Sequence, residues 1–242
     1  MQQKGQLPKI QHYVPKFLLR NFVKAGTQQV WVCDKQNDNV FFTNIKNVAA
    51  EKGFYNIEKD GGTHSLESPL SNLESSTSKL IKKIITDKSI KWLSPEDKTT
   101  IALFVSVQQL RTPHLRETFL HMGSEFQKLF DKMGINSDKV EGYRTVDEDG
   151  ARFLSMKLLA EKATKLLPYF YEKPWLLLRT KRSNPFYISD NPISLQLSLQ
   201  HKNDFGLHGN IGLAVKGIEI YLPLSSTLTL AMYCPSIVEE MQ

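Results

Sequence analysis

Only two cysteines, Cys33 and Cys234, occur in the 242 residues, and they lie far apart. This excludes a disulfide framework and any CxxC redox or zinc pair, and it points to a reducing, cytoplasmic setting. No apolar run is long enough to span a bilayer, and the opening MQQKGQLPKI has no signal-peptide core, so we expect no membrane partner. The signatures of several enzyme classes are missing as well. There is no GxSxG, no Rossmann fingerprint and no HExxH, and GLHGNIGLAVKG does not end in the Gly-Lys-Ser/Thr of a phosphate-binding loop. Neither sign of charge forms a block. Lys and Arg number 31 against 25 Asp and Glu, a net charge of +6 that suits a polyanionic partner without demanding one.

What is present is an ordinary globular composition, 40% hydrophobic and 23% charged, which we read as one domain over residues 1–242. QVWVCDKQNDNVFFTNI reads as a β-hairpin, with GFYNI as a further short strand and EKDGGTHS as a loop. Ser68 is expected to cap a helix with Pro69 at its first position; Leu70, Leu73, Thr77, Leu80, Ile81, Ile84 and Ile85 form its apolar stripe. SPED at residues 94–97 opens a second helix whose body, IALFVSVQQL, is apolar on nearly every side and therefore central. Pro113 precedes a third, amphipathic helix, and ARFLSMKLLAEKATKLL a fourth. After Pro168 the strand-like PWLLLRT, PFYIS, GIEIYLPL and TLTLAMY follow, with a glycine-rich loop or hairpin near residues 198–217. Strands, then helices, then strands predict an α+β fold. In it, buried helices pack on a mainly antiparallel sheet made by the N-terminal hairpin and the C-terminal strands.

Several polar residues stand out against this frame. In QHYVPKFLLRNF, Pro15 holds Val14 extended, so His12 and Tyr13 should point opposite ways. Glu67 and Glu74 are seven residues apart, about 10 Å along a helix, too far to share one ion unless Glu67 precedes the helix and bends back. They are either two half-buried carboxylates or two solvated ones. Arg111 follows QQL at the end of the central helix. It either pairs inside with a carboxylate or phosphate, or sits in water against the helix dipole. YISDNPI presents Asp190 and Asn191 at a turn after an extended segment. HLRETFLH sets His114, Glu117 and His121 on one helical face, which we read as exposed. Lys79, Lys82, Lys83, Lys88 and Lys91 read as a solvated face.

In order along the chain, QHYVPKFLLRNF, NVAAEKGFYNI, LES…SNLE, QQLRTP, YISDNPI and LPLSSTL resemble domain of unknown function family 4238, from Gln11 to about Leu230. Within that resemblance HYVP is the most recognisable motif. Members often continue into further C-terminal elements, so a short or truncated member is expected. The resemblance implies that His12, Tyr13, Glu67, Glu74, Arg111, Asp190 and Asn191 belong to one constellation. From this follows the expectation of an enzyme acting on a phosphate-containing substrate, nucleic acid or nucleotide: a metal-dependent nuclease serving as a toxin or anti-phage effector. Glu67, Glu74 and Asp190 would hold Mg²⁺ or Mn²⁺. Arg111 would neutralise phosphate charge, His12 would act as base or acid, and Tyr13 and Asn191 would orient the groups around it. The alternative is a non-catalytic sensor or partner-binding module in which the same residues form a buried network.

Overall fold

A computed structural model describes residues 10–59, 62–197 and 212–240. The first element among the described residues is β1 (Ile10–His12), which leads through Pro15 into the short helix α1 (Lys16–Leu19). The expected hairpin forms from β2 (Gln29–Asp34) and β3 (Asn39–Asn44), paired Gln29↔Asn44 through Asp34↔Asn39. The Asp34 carboxylate closes its turn by accepting from the Gln36 and Asn37 backbone N–H groups. β4 (Ala50–Lys52) returns to pair antiparallel with β1, setting Gln11 opposite Glu51 and His12 opposite Ala50. β5 (Asn56–Lys59) then pairs with β6 (Gly62–Ser65), so the stretch read as a loop contains the second strand of a hairpin.

Four long helices follow. They are α2 (Glu67–Asp87), α3 (Pro95–Leu110), α4 (Pro113–Lys132) and α5 (Glu148–Tyr171). α2 starts two residues earlier than Ser68-Pro69 suggests: Leu66 is its N-cap residue, and the Glu67 N–H donates to the Ser65 hydroxyl instead. The Ser94 start is as read, a full capping box with Asp97. α3 buries Ile101, Ala102, Phe104, Val105, Val107 and Leu110, the central helix its composition implies. α5 runs through Pro168 to Tyr171. A proline so near a helix end removes a single hydrogen bond, and burial of Phe170 two residues on offsets that loss.

The C-terminal strands make one antiparallel sheet, β7 (Trp175–Arg179), β10 (Leu228–Tyr233), β9 (Ile218–Ser225) and β8 (Ser194–Leu197), in that spatial order. Helix α6 (Pro235–Glu240) follows. β9 buries Ile218, Ile220, Leu222 and Leu224 at period two against α2 and α3. β10 is buried on both faces, its Ala231 and Tyr233 meeting Ile237 of α6. The fold is α+β with antiparallel sheets throughout, as read. One detail differs: the N-terminal hairpin forms its own two-stranded sheet. PFYIS is extended without entering a ladder, because Pro185 cannot donate and only the Phe186 N–H reaches a neighbour, the Ser226 carbonyl. Most of the glycine-rich stretch, residues 198–211, lies outside the described residues.

Candidate functional site

The segment Gln11–Tyr13 is held on every side. Gln11 is buried; its side-chain oxygen accepts from the Tyr55 N–H at 2.7 Å, and its Nε2 donates to Asn56 at 3.1 Å. The Tyr55 hydroxyl donates to the His12 carbonyl at 2.9 Å, and Gln108 Nε2 donates to the Tyr13 carbonyl at 2.9 Å. The Tyr13 N–H donates to the Ala49 carbonyl. Each bond crosses at least 36 positions of sequence, so three distant elements fix this one strand end. Gln11 and Tyr55 escaped the sequence reading. A lone glutamine and a tyrosine in a turn carry no spacing signal, and only tertiary pairing gives them meaning.

His12 and Tyr13 diverge, as extended geometry requires. His12 lines a cleft of about 440 Å³ whose opposite wall is α2, with Glu67, Ser71 and Glu74, and whose rim carries Lys16 and Arg20 of the α1 turn. His12 Nε2 lies 3.2 Å from the Ile45 carbonyl. A carbonyl only accepts, so the neutral ring carries its proton on Nε2 and its lone pair on Nδ1. Burial, with Lys16 nearby, holds the imidazole pKa below its ordinary value, against the raising effects of the Ile45 carbonyl and Glu74. Glu67, half-buried across the cleft, is shifted the other way. Burial first and the Glu74 charge second raise its pKa, which Arg111 only partly counters, and its Oε2 is buried with no hydrogen-bond partner.

Arg111 sits behind this wall. It is fully buried, so the internal reading of this residue is the one realised. Its Nη1 donates to Glu74 Oε1 at 2.6 Å and its Nε to Gln108 at 2.9 Å, and the guanidinium lies 5.5 Å from the centre of the Phe104 ring. Arg111 therefore fixes Glu74 and, through Gln108, the Tyr13 backbone. A guanidinium this buried does not present itself to a substrate in the cleft; the exposed cations there are Lys16 and Arg20.

Tyr13 turns to the other side. Its ring packs on Phe54, and burial together with Asp190 and Glu51 pushes its phenol up to about 12, so it stays protonated. Asp190 and Asn191 line a second, smaller cleft of about 200 Å³ with Thr112, Pro113, His114 and Glu117. Asp190 is exposed and its Oδ1 accepts from the Asn191 N–H at 3.0 Å, a turn contact. The Asn191 Oδ1 is buried without a partner. His114 and Glu117 lie on the exposed face expected for HLRETFLH, 3.9 Å apart.

The seven residues expected in one constellation thus divide between two clefts. His12, Glu67 and Glu74 share one, with Arg111 behind it; Asp190 and Asn191 share the other, which Tyr13 faces. Among the described residues, no three His, Cys, Asp or Glu side chains converge as ion ligands. Glu67 and Glu74 line one cleft and Asp190 the other, so the three do not fit a Mg²⁺ or Mn²⁺ site. Among the described residues no helix is long and apolar enough to cross a membrane.

Residues 10–242 match the family model described as protein of unknown function, DUF4238. The chain belongs to this family. No curated protein and no solved structure matches the chain.

Proposed function

We propose that the His12 cleft is the active site of an enzyme acting on a phosphate-containing substrate, with nucleic acid as the substrate class and phosphodiester cleavage as the reaction. One observation supports this reading above the others. A neutral, backbone-anchored imidazole faces a carboxyl group shifted in the opposite direction, in a cleft with two free cations at its rim. Opposed shifts of this kind divide the work of acid and base between two groups. His12 Nδ1 would take the proton from the attacking hydroxyl or water. Glu67, which keeps its proton to higher pH than an ordinary carboxyl, would deliver one to the leaving oxygen. Lys16 and Arg20 would offset charge on the phosphoryl oxygens.

The test is a cleavage assay on single- and double-stranded RNA and DNA, with and without EDTA. We expect cleavage that survives EDTA, and a loss of about 10²–10⁴-fold in His12→Gln, the range of a general base. Replacing Lys16 and Arg20 by alanine should reduce the salt slope of binding by about two. Wild-type protein that cleaves none of these polymers would overturn the proposal.

A second reading has its own observation. Two largely buried chains of hydrogen bonds, Gln11–Tyr55 and Glu74–Arg111–Gln108, end on the carbonyls of His12 and Tyr13 respectively. That favours a partner-binding module in which the network fixes the strand end. Salt-dependent nucleic-acid binding without cleavage, unchanged in His12→Gln, would select it.

A further inference from the structure

We propose that α4 is a homodimerisation helix, pairing antiparallel with α4 of a second copy of this chain. Its outer face carries Met122, Phe126 and Leu129, and its C-cap residue Met133 continues the row; they are exposed at 47%, 48%, 48% and 60%. Their spacing of four, three and four residues is that of a coiled-coil seam, not of a helix half-sunk in its own core. Gly123 is the one residue of α4 that is buried. Single exposed apolar residues need no explanation, but four in register along one helix do.

Two features identify the occupant as a second copy. The first is that the seam closes on itself. With the helices antiparallel, Phe126 layers with Leu129 of the second copy and Met122 with Met133, and the two-fold axis repeats both contacts, so all four residues are used. The second is charge. Glu125 and Lys132 flank this seam on the same side, both exposed, and the antiparallel register sets Glu125 of each copy against Lys132 of the other. A parallel register would not bring these two together. From Met122 to Met133 the charges are Glu125, Lys128, Asp131 and Lys132, which cancel, although the whole chain carries +6. This segment therefore contributes none of the net charge by which two copies repel. A seam of two layers, each used twice, is short of the area of a standard stable interface, so the dimer is a weak one that concentration controls.

Sedimentation equilibrium of the full chain over a wide concentration range tests this. We expect a reversible monomer–dimer equilibrium that Phe126→Asp weakens more than tenfold. Glu125→Lys and Lys132→Glu should each weaken it by about two- to fivefold, and the double variant should recover wild-type association. Circular dichroism confirms that each variant stays folded, which an exposed position makes the expected result. A chain that stays monomeric at the highest concentration overturns the proposal, as does association indifferent to Phe126→Asp. Failure of the double charge reversal to recover association overturns the antiparallel register.

Discussion

Two arginine–glutamate pairs bracket the strand end at His12–Tyr13, and they differ chiefly in how much water reaches them. Arg111–Glu74 lies on the His12 side at 2.6 Å, its arginine fully buried and its glutamate 27% exposed. Arg116–Glu51 lies on the Tyr13 side at 2.5 Å, exposed at 15% and 36%. Each guanidinium covers an aromatic ring, Phe104 for the first and Phe54 for the second. Arg111 reaches one oxygen of Glu74 and Arg116 both oxygens of Glu51, yet burial and connectivity favour the first pair. Arg111 also donates to Gln108, which holds the Tyr13 carbonyl; Arg116 bonds Glu51 alone and passes nothing on. One pair is part of the machinery that places the imidazole, the other a clamp on β4.

The largest effect expected from breaking this contrast is Arg111→Ala. It strands the Glu74 carboxylate and the Gln108 oxygen together, and removal of one partner of a buried pair costs about 3–5 kcal/mol. Glu74 keeps some contact with water, so the lower end of that range is expected. Urea unfolding measures it without screening the charges. A loss below about 1 kcal/mol would show that Arg111 reaches solvent and that the network does not organise the cleft.

Arg116→Ala should cost about 1 kcal/mol, from a partly exposed pair and its contact with the Phe54 ring. The cost should shrink as salt is raised, because screening acts on exposed pairs far more than on buried ones. The loss in Arg111→Ala should hardly change over the same salt range. Equal salt dependence in the two variants would erase the distinction between them.

The sequence shows the fold well and the site only in part, for a physical reason. The Ser94 capping box, the apolar body of α3 and the alternation in β9 are local patterns, and local patterns survive into structure. The opposed directions of His12 and Tyr13 also follow locally, from Pro15. Whether Arg111 was buried or solvated depended on what α2 placed beside it, and spacing alone left that open. The family resemblance groups Asp190 with Glu67 and Glu74 but carries no distances; the fold sends it to the other cleft. Gln11 and Tyr55 matter only through partners 44 and 43 residues away.

On the Tyr13 side, Asp190→Ala should be a smaller loss still. Its Oδ1 shares the Asn191 N–H with the Ser189 hydroxyl, which remains to accept it. We expect about 0.5 kcal/mol, the low end for one hydrogen bond, with or without EDTA. A stabilisation in EDTA would mean that carboxylates repel one another around Asp190, and would reopen an ion site there.

The smallest effect is visible only as a difference between two pH values, and it belongs to Glu67. Burial and the neighbouring Glu74 raise its pKa in the folded state above that in the unfolded chain. Below the unfolded carboxyl pKa of about 4.3 both states hold the proton, and Glu67→Gln should match wild type. As pH rises through the folded pKa, the unfolded chain has already released its proton while the folded protein releases its own into a half-buried site. Wild type therefore loses stability across that window, and the glutamine variant does not. Glu67→Gln should be more stable than wild type at pH 7, with the gain vanishing near pH 4. Taking the difference between the two proteins cancels the titrating groups that do not interact with Glu67. If the variant is instead the less stable at pH 7, Arg111 dominates the carboxylate, Glu67 is ionised throughout, and it cannot serve as the proton donor opposite His12.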